Sequence, residues 1–110
     1  MRNPERAAQF WSVLVMAARN QQILTYKVME KLTGIPQWGQ AEILGLVGAY
    51  CEKKHYPKLT SIVVSEESGL PMPKMGITDP VGLLTEHTKV FVFPWFDKET
   101  PSTKDFEGNA

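Results

Sequence analysis

The apolar positions of this chain recur first at helical intervals. Ala7, Trp11, Leu14, Val15 and Ala18 share one face, and Phe10 widens it. Asn3 suits an N-cap, Pro4 the first helical position and Glu5 the positive helix end, which predicts a helix from Pro4 to about Asn20. Gln21 and Gln22 interrupt the pattern. Thr25 then reads as the N-cap of a second helix, with Val28, Met29 and Leu32 facing inward and Lys27, Glu30 and Lys31 facing water. Gly34 ends it as a left-handed residue, and Ile35-Pro36 turns the chain, because the residue before proline resists helix. A third helix follows from about Trp38 to Lys54, with Leu44, Val47 and Cys51 on one face. Ala41, Gly45 and Gly48 form a stripe of small residues beside them. Each interior glycine costs about 1 kcal/mol against alanine, so two of them predict another backbone packed very close.

The second half changes period. Leu59-Thr60-Ser61-Ile62-Val63-Val64-Ser65 is β-rich and bounded by turn residues, and Glu66-Glu67-Ser68-Gly69 is a turn signal. Pro71 and Pro73 exclude a long regular hairpin. Asp79-Pro80 starts a short helix to about His87, whose apolar residues are Val81, Leu83 and Leu84. Val90-Phe91-Val92-Phe93 alternates as a strand and Pro94 confines it to an edge. The expected fold is therefore α+β: a three-helix winged helix-turn-helix over residues 1–97, with a small β wing and a C-terminal helix and strand. Residues 98–110, polar and containing Pro101, Ser102 and Thr103, read as a flexible tail.

Composition narrows this only a little. A chain of 110 residues with five Phe, three Trp and three Tyr is one domain with enough aromatic volume for a core. Cys51 is the single cysteine, so no intrachain disulfide forms, and a reducing cytoplasm suits it. Arg2 and Arg6 before Ala7–Ala18 imitate a secretion signal. Gln9, Ser12 and the helical stripe favour a folded helix instead, and no apolar run is long enough to span a membrane. Net charge is zero but uneven: residues 1–60 hold eight Lys/Arg and four Asp/Glu, and residues 61–110 the reverse. The first half is the one able to approach a polyanion.

Leu24-Thr25-Tyr26, Leu32-Thr33-Gly34-Ile35-Pro36, Ile43-Leu44-Gly45, Ile62-Val63-Val64 and Gly69-Leu70 stand in an order that resembles the DNA-binding winged-helix domain of alkylguanine-DNA alkyltransferases and alkyltransferase-like proteins. The resemblance covers roughly residues 10 to 72. It implies a winged helix that grips DNA and a strand that carries an alkyl-accepting cysteine near position 60. Here that strand has Thr60 and no Cys-His pair, and Thr60 lacks the nucleophilicity of an activated thiolate. The family's DNA-opening arginine falls near Glu42, a carboxylate that repels phosphate. Alkyl transfer is not expected. The pattern is also similar to that of small uncharacterised proteins of phages and other mobile elements.

Three groups of residues are candidates for chemistry or recognition. Cys51 and His55, four apart, could hold two sides of a metal, but two ligands do not make a site, and a buried structural cysteine is the plainer reading. Isolated His87 reads as a surface or helix-end residue, and Glu66-Glu67 as solvated turn residues. No nucleophile, base and orienter can be assembled, so neither an enzyme nor a cofactor is expected. For nucleic acid the candidates are Tyr26, Lys27, Lys31, Gln37, Trp38, Gln40, Lys53, Lys54 and Lys58, with Gln37 and Gln40 as base-reading amides and Trp38 as a stacking group or wedge. For a protein partner or a second copy of the chain the candidates are Phe91, Phe93, Trp95 and Phe96, as the spare face of the C-terminal strand.

Overall fold

A computed structural model describes residues 2–107, except for the side chain of Lys74. The architecture is mostly helical. Helix α1 spans Asn3–Arg19, strand β1 Leu24–Thr25, α2 Tyr26–Thr33, α3 Gln37–Lys53, strand β2 Val63–Val64, α4 Pro80–Val92 and α5 Thr103–Glu107, with short 3-10 turns at Leu59–Ile62, Pro73–Met75 and Trp95–Asp97. The two strands pair in parallel, Leu24 with Val63 and Thr25 with Val64, and make the whole sheet among the described residues.

The winged-helix expectation is thereby corrected. Leu59–Ile62 is a 3-10 turn rather than strand, and every residue from Leu59 to Val64 is buried, so the segment is core filling rather than a half-solvated wing. The turn signal is real. Gly69 is left-handed at φ 71°, its N–H donates to the Ser65 carbonyl at 2.8 Å, and the Ser65 N–H donates to the Leu70 carbonyl at 3.0 Å. No returning strand follows, since Pro71 and Pro73 have no N–H to give a ladder.

The expected C-terminal strand is also absent. Helix α4 starts where expected, with the Asp79 carboxylate accepting from the Gly82 N–H at 2.7 Å, but it continues through Val92. His87 and Val90 are buried at helical spacing with Phe91 beside them, so tertiary packing overrides the β preference of a Val-Phe-Val-Phe run. Phe93, held extended before Pro94, ends the helix.

The N-terminal helix has Arg2 rather than Asn3 at its cap position, with no side-chain capping bond. Thr25 does cap α2, accepting from the Val28 N–H at 3.1 Å, and Gly34 closes it in the left-handed region. Inside α2 only Met29 is buried, whereas Val28 and Leu32, expected inward, face water. The core joins α1 and α3 along Ala7, Phe10, Leu14, Ile43, Leu44, Val47 and Cys51, closed by Leu59, Ile62, Val63 and Val90. Residues 98–107, read as a flexible tail, carry α5, whose Phe106 is fully buried against the Tyr50 ring at 5.5 Å. The remainder of that expected tail, 108–110, lies outside the described residues.

Candidate interaction surface

Two rigid joints define the corner between α2 and α3. The Gln40 side chain, fully buried, donates its amide N–H groups to the Tyr26 carbonyl at 2.9 Å and the Ile35 carbonyl at 3.1 Å. The Glu30 carboxylate accepts from the Gln37 N–H at 3.2 Å, so a protein anion already occupies the first amide of α3. Gln40 is thus a structural bolt and not a base-reading amide. Its Oε1 is the one polar atom at this joint without a partner.

On the solvent side of that corner stands Trp38, 87% exposed. The other two tryptophans, Trp11 and Trp95, are each 4% exposed and stack edge to face at 5.6 Å. Trp38 therefore contributes nothing evident to the core, although tryptophan is the side chain with the most apolar area to hide. Gln37, its neighbour in the chain, is exposed, as are Lys27 and Lys31 on α2. Lys53 and Lys54 are exposed too, but they lie at the other end of α3, about 24 Å along a helix rising 1.5 Å per residue. Lys54 sits over the Tyr50 ring, 5.8 Å from its centroid. Tyr26 is half-buried. Burial pushes its phenol up, and a hydrogen bond from the Met72 backbone partly offsets this. The expected nucleic-acid set is split by the fold: Lys27 and Lys31 are exposed on α2, Gln37 and Trp38 at the start of α3, Gln40 enters the core, and Lys53 and Lys54 lie at the far end of α3.

The exposed face of α3 continues from Trp38 at helical spacing through Glu42, Gly45, Ala49 and Glu52. From Glu42 onward it floors a cleft of about 1040 Å³, with Asn3 and Pro4 of α1, Tyr56, Lys58, Thr60, Met72 and Met75 among its walls. At Gly48, among the described residues, no backbone packs closely. A Cβ built on Gly48 would meet only the Thr60 hydroxyl, at 3.7 Å, an ordinary contact, and Ala41 is exposed. The prediction of a close-packed backbone is not met at Gly48. Thr60 is buried at the cleft wall, and its hydroxyl donates to the Met75 sulfur at 3.6 Å, a weak acceptor. The Lys58 ammonium donates to the Met75 carbonyl at 3.0 Å. Glu42 and Glu52 are exposed and unpaired: the ion pairs among the described residues are Arg2–Glu5 and Arg2–Glu107.

The aromatic residues expected to meet a partner are mostly used internally. Trp95 packs on Phe93 at 4.5 Å and on Tyr56 at 5.8 Å, and its indole N–H donates to the Val90 carbonyl at 2.8 Å. Phe91 and Phe93 are half-buried against the core, and Lys98 covers the Phe93 ring at 5.4 Å. Phe96 is exposed, with the Arg19 guanidinium 5.6 Å from its centroid.

Burial pushes the Cys51 thiol up to about 12, against a weaker pull from the Leu59 backbone, so it stays protonated and unreactive. His55 lies beyond the end of α3 and is exposed while Cys51 is buried, so the two do not face a common ion. No cluster of three potential metal ligands occurs among the described residues. His87, expected at the surface, is buried, with its Nε2 2.8 Å from the Ser61 carbonyl; since a carbonyl only accepts, Nε2 carries the proton. No described helix is long and apolar enough to cross a membrane. Sequence reasoning singled out Trp38, which the fold leaves exposed. It missed the cleft, because periodicity shows which residues share a face of α3 but not whether another part of the chain covers it. Comparison with models of known protein families, with curated proteins and with solved structures finds no match to this chain.

Proposed function

We propose that this protein is a non-enzymatic interaction module whose contact surface is the open face of α3, headed by Trp38, and that its partner is another protein. The exposure of Trp38 carries this reading. A fully solvated tryptophan on a corner held by Gln40 and Glu30 forgoes the burial of roughly 200 Å² of apolar surface, a few kcal/mol at about 25 cal/mol/Å². Tryptophan is also the side chain most enriched at the energetic centres of protein interfaces. The cleft that follows on the same face supplies a concave floor of small residues onto which a partner backbone fits closely.

Nucleic acid is the second reading, and the exposure of Lys27 and Lys31 on α2 and of Gln37 beside Trp38 in the chain favours it. The charge balance of the surface works against it. Two lysines are few phosphate contacts, and Glu30, Glu42 and Glu52 stand on or beside the same surface. Selection of a displayed library of random peptides against the wild-type chain, with Trp38→Ala as the counter-selection bait, separates the two readings when run beside fluorescence anisotropy on duplex and single-stranded DNA over a salt series. Peptides whose binding needs Trp38 support the protein reading. DNA binding that is lost in Trp38→Ala and weakens steeply with salt, with no such peptides, would replace it.

A further inference from the structure

The charges along the α3 face specify more than an apolar partner. Glu42 lies one turn beyond Trp38 on the same face, so an aromatic ring and a carboxylate stand side by side, both exposed and neither engaged. An indole face attracts a cation and a carboxylate pairs with one, and a guanidinium does both at once, stacking flat while its N–H groups reach the oxygens. Glu52 repeats the negative charge ten residues on, about 15 Å along the helix, at the far end of the cleft. Among the described side chains, the Lys58 ammonium of the cleft wall is held on the Met75 carbonyl, and Lys54 lies over Tyr50. Between the carboxylates the floor is Gly45 and Ala49 and a wall is Met72 and Met75, which suits small and apolar side chains.

Resting on the protein-docking reading above, we infer that the partner segment is a short basic amphipathic helix, which places an arginine on Trp38 and Glu42, an apolar face over Gly45 and Ala49, and a second basic residue at Glu52. A polyanion is repelled by both carboxylates, and an acidic peptide equally so. Helix α4 also exposes Val81, Leu84 and Val92, but nothing in the structure shows what covers them.

The test sequences the Trp38-dependent peptides from a displayed library of segments about 16 residues long, enough to span the face from Trp38 to Glu52. The leading peptide is then synthesised and titrated against wild type, Glu42→Lys, Glu52→Lys and the double variant. All four proteins are checked for unchanged circular dichroism and melting. The expected peptides are net positive, with arginine enriched and apolar residues at helical spacing. Each charge reversal weakens binding several-fold and the double variant about tenfold or more. Trp38-dependent peptides that are neutral or acidic, or affinities indifferent to Glu42→Lys and Glu52→Lys, would overturn the inference while leaving the docking surface standing. A selection that yields no Trp38-dependent peptide, including none that binds as a second copy of this chain would, removes both.

Discussion

At the scale of single residues, two helix ends depart from the usual glycine. Helix α1 closes with Gln21 at φ 55° and α3 with His55 at φ 60°, each followed by a residue whose N–H reaches back to the last turn: Gln22 to Ala17 at 2.8 Å and Tyr56 to Cys51 at 2.8 Å. This is the left-handed terminator that glycine fills without a Cβ penalty. Gln21→Gly and His55→Gly are each expected to stabilise the fold by up to about 1 kcal/mol, read as a higher melting temperature. A lower melting temperature in both would show that the side chains contribute more than their backbone strain removes. Cys51 makes a second prediction. Its thiol is raised from the ordinary value of 9.0 to about 12, so the unfolded chain releases a proton first as pH rises. Stability is intact below pH 9 and falls between there and about 12. Cys51→Val should flatten part of that alkaline loss in denaturant titrations, and native wild type should resist thiol alkylation at pH 8. Rapid alkylation of the folded protein would contradict the burial of the group.

At the scale of elements, the caps and breakers were readable and the β content was not. Thr25, Gly34 and Asp79 act where local chemistry says they must, because a cap works through neighbours within four residues, whereas Asn3 does not cap α1 and Pro94 follows a helix instead of an edge strand. Asp79→Ala should therefore cost about 1 kcal/mol by loss of the bond to the Gly82 N–H, seen in the denaturation midpoint. Leu59–Val64 and Val90–Phe93 misled because β-branched and aromatic residues signal burial as readily as strand. Leu59–Ile62 packs on α1 and α3, and α4 on α1 and that turn, so Leu59–Val64 and Val90 are buried without a wing. Val28 and Leu32 misled in the opposite direction, since apolar spacing on a helix as short as α2 does not say which side meets the core.

At the scale of the molecule, the C-terminal segment belongs to the body of the fold. Phe106 is fully buried, and the Arg2 guanidinium ties Glu107 back to the start of the chain. Phe106→Ala is expected to cost about 3–5 kcal/mol, comparable to any large core truncation, and removal of residues 98–110 should cost more. A deletion variant that melts like wild type would restore the tail reading. The contact surface was half legible. Trp38, Lys27 and Lys31 stood out as residue types, but the burial of Gln40, the capping of α3 by Glu30 and the openness of the Gly45 and Ala49 face arise from how α2, α3 and the 65–79 loop meet in space.

The proposed contact surface centres on Trp38, which the fold itself does not need. Acrylamide quenching of tryptophan fluorescence tests this most directly, because Trp11 and Trp95 are buried and the quenchable signal belongs to Trp38. Wild type saturated with a selected peptide should lose the quenchable fraction, while Trp38→Ala, whose stability should lie within about 0.5 kcal/mol of wild type, neither shows that fraction nor binds the peptide. Peptide binding that leaves Trp38 fully quenchable, or that survives Trp38→Ala, would contradict the assignment of this face as the contact surface.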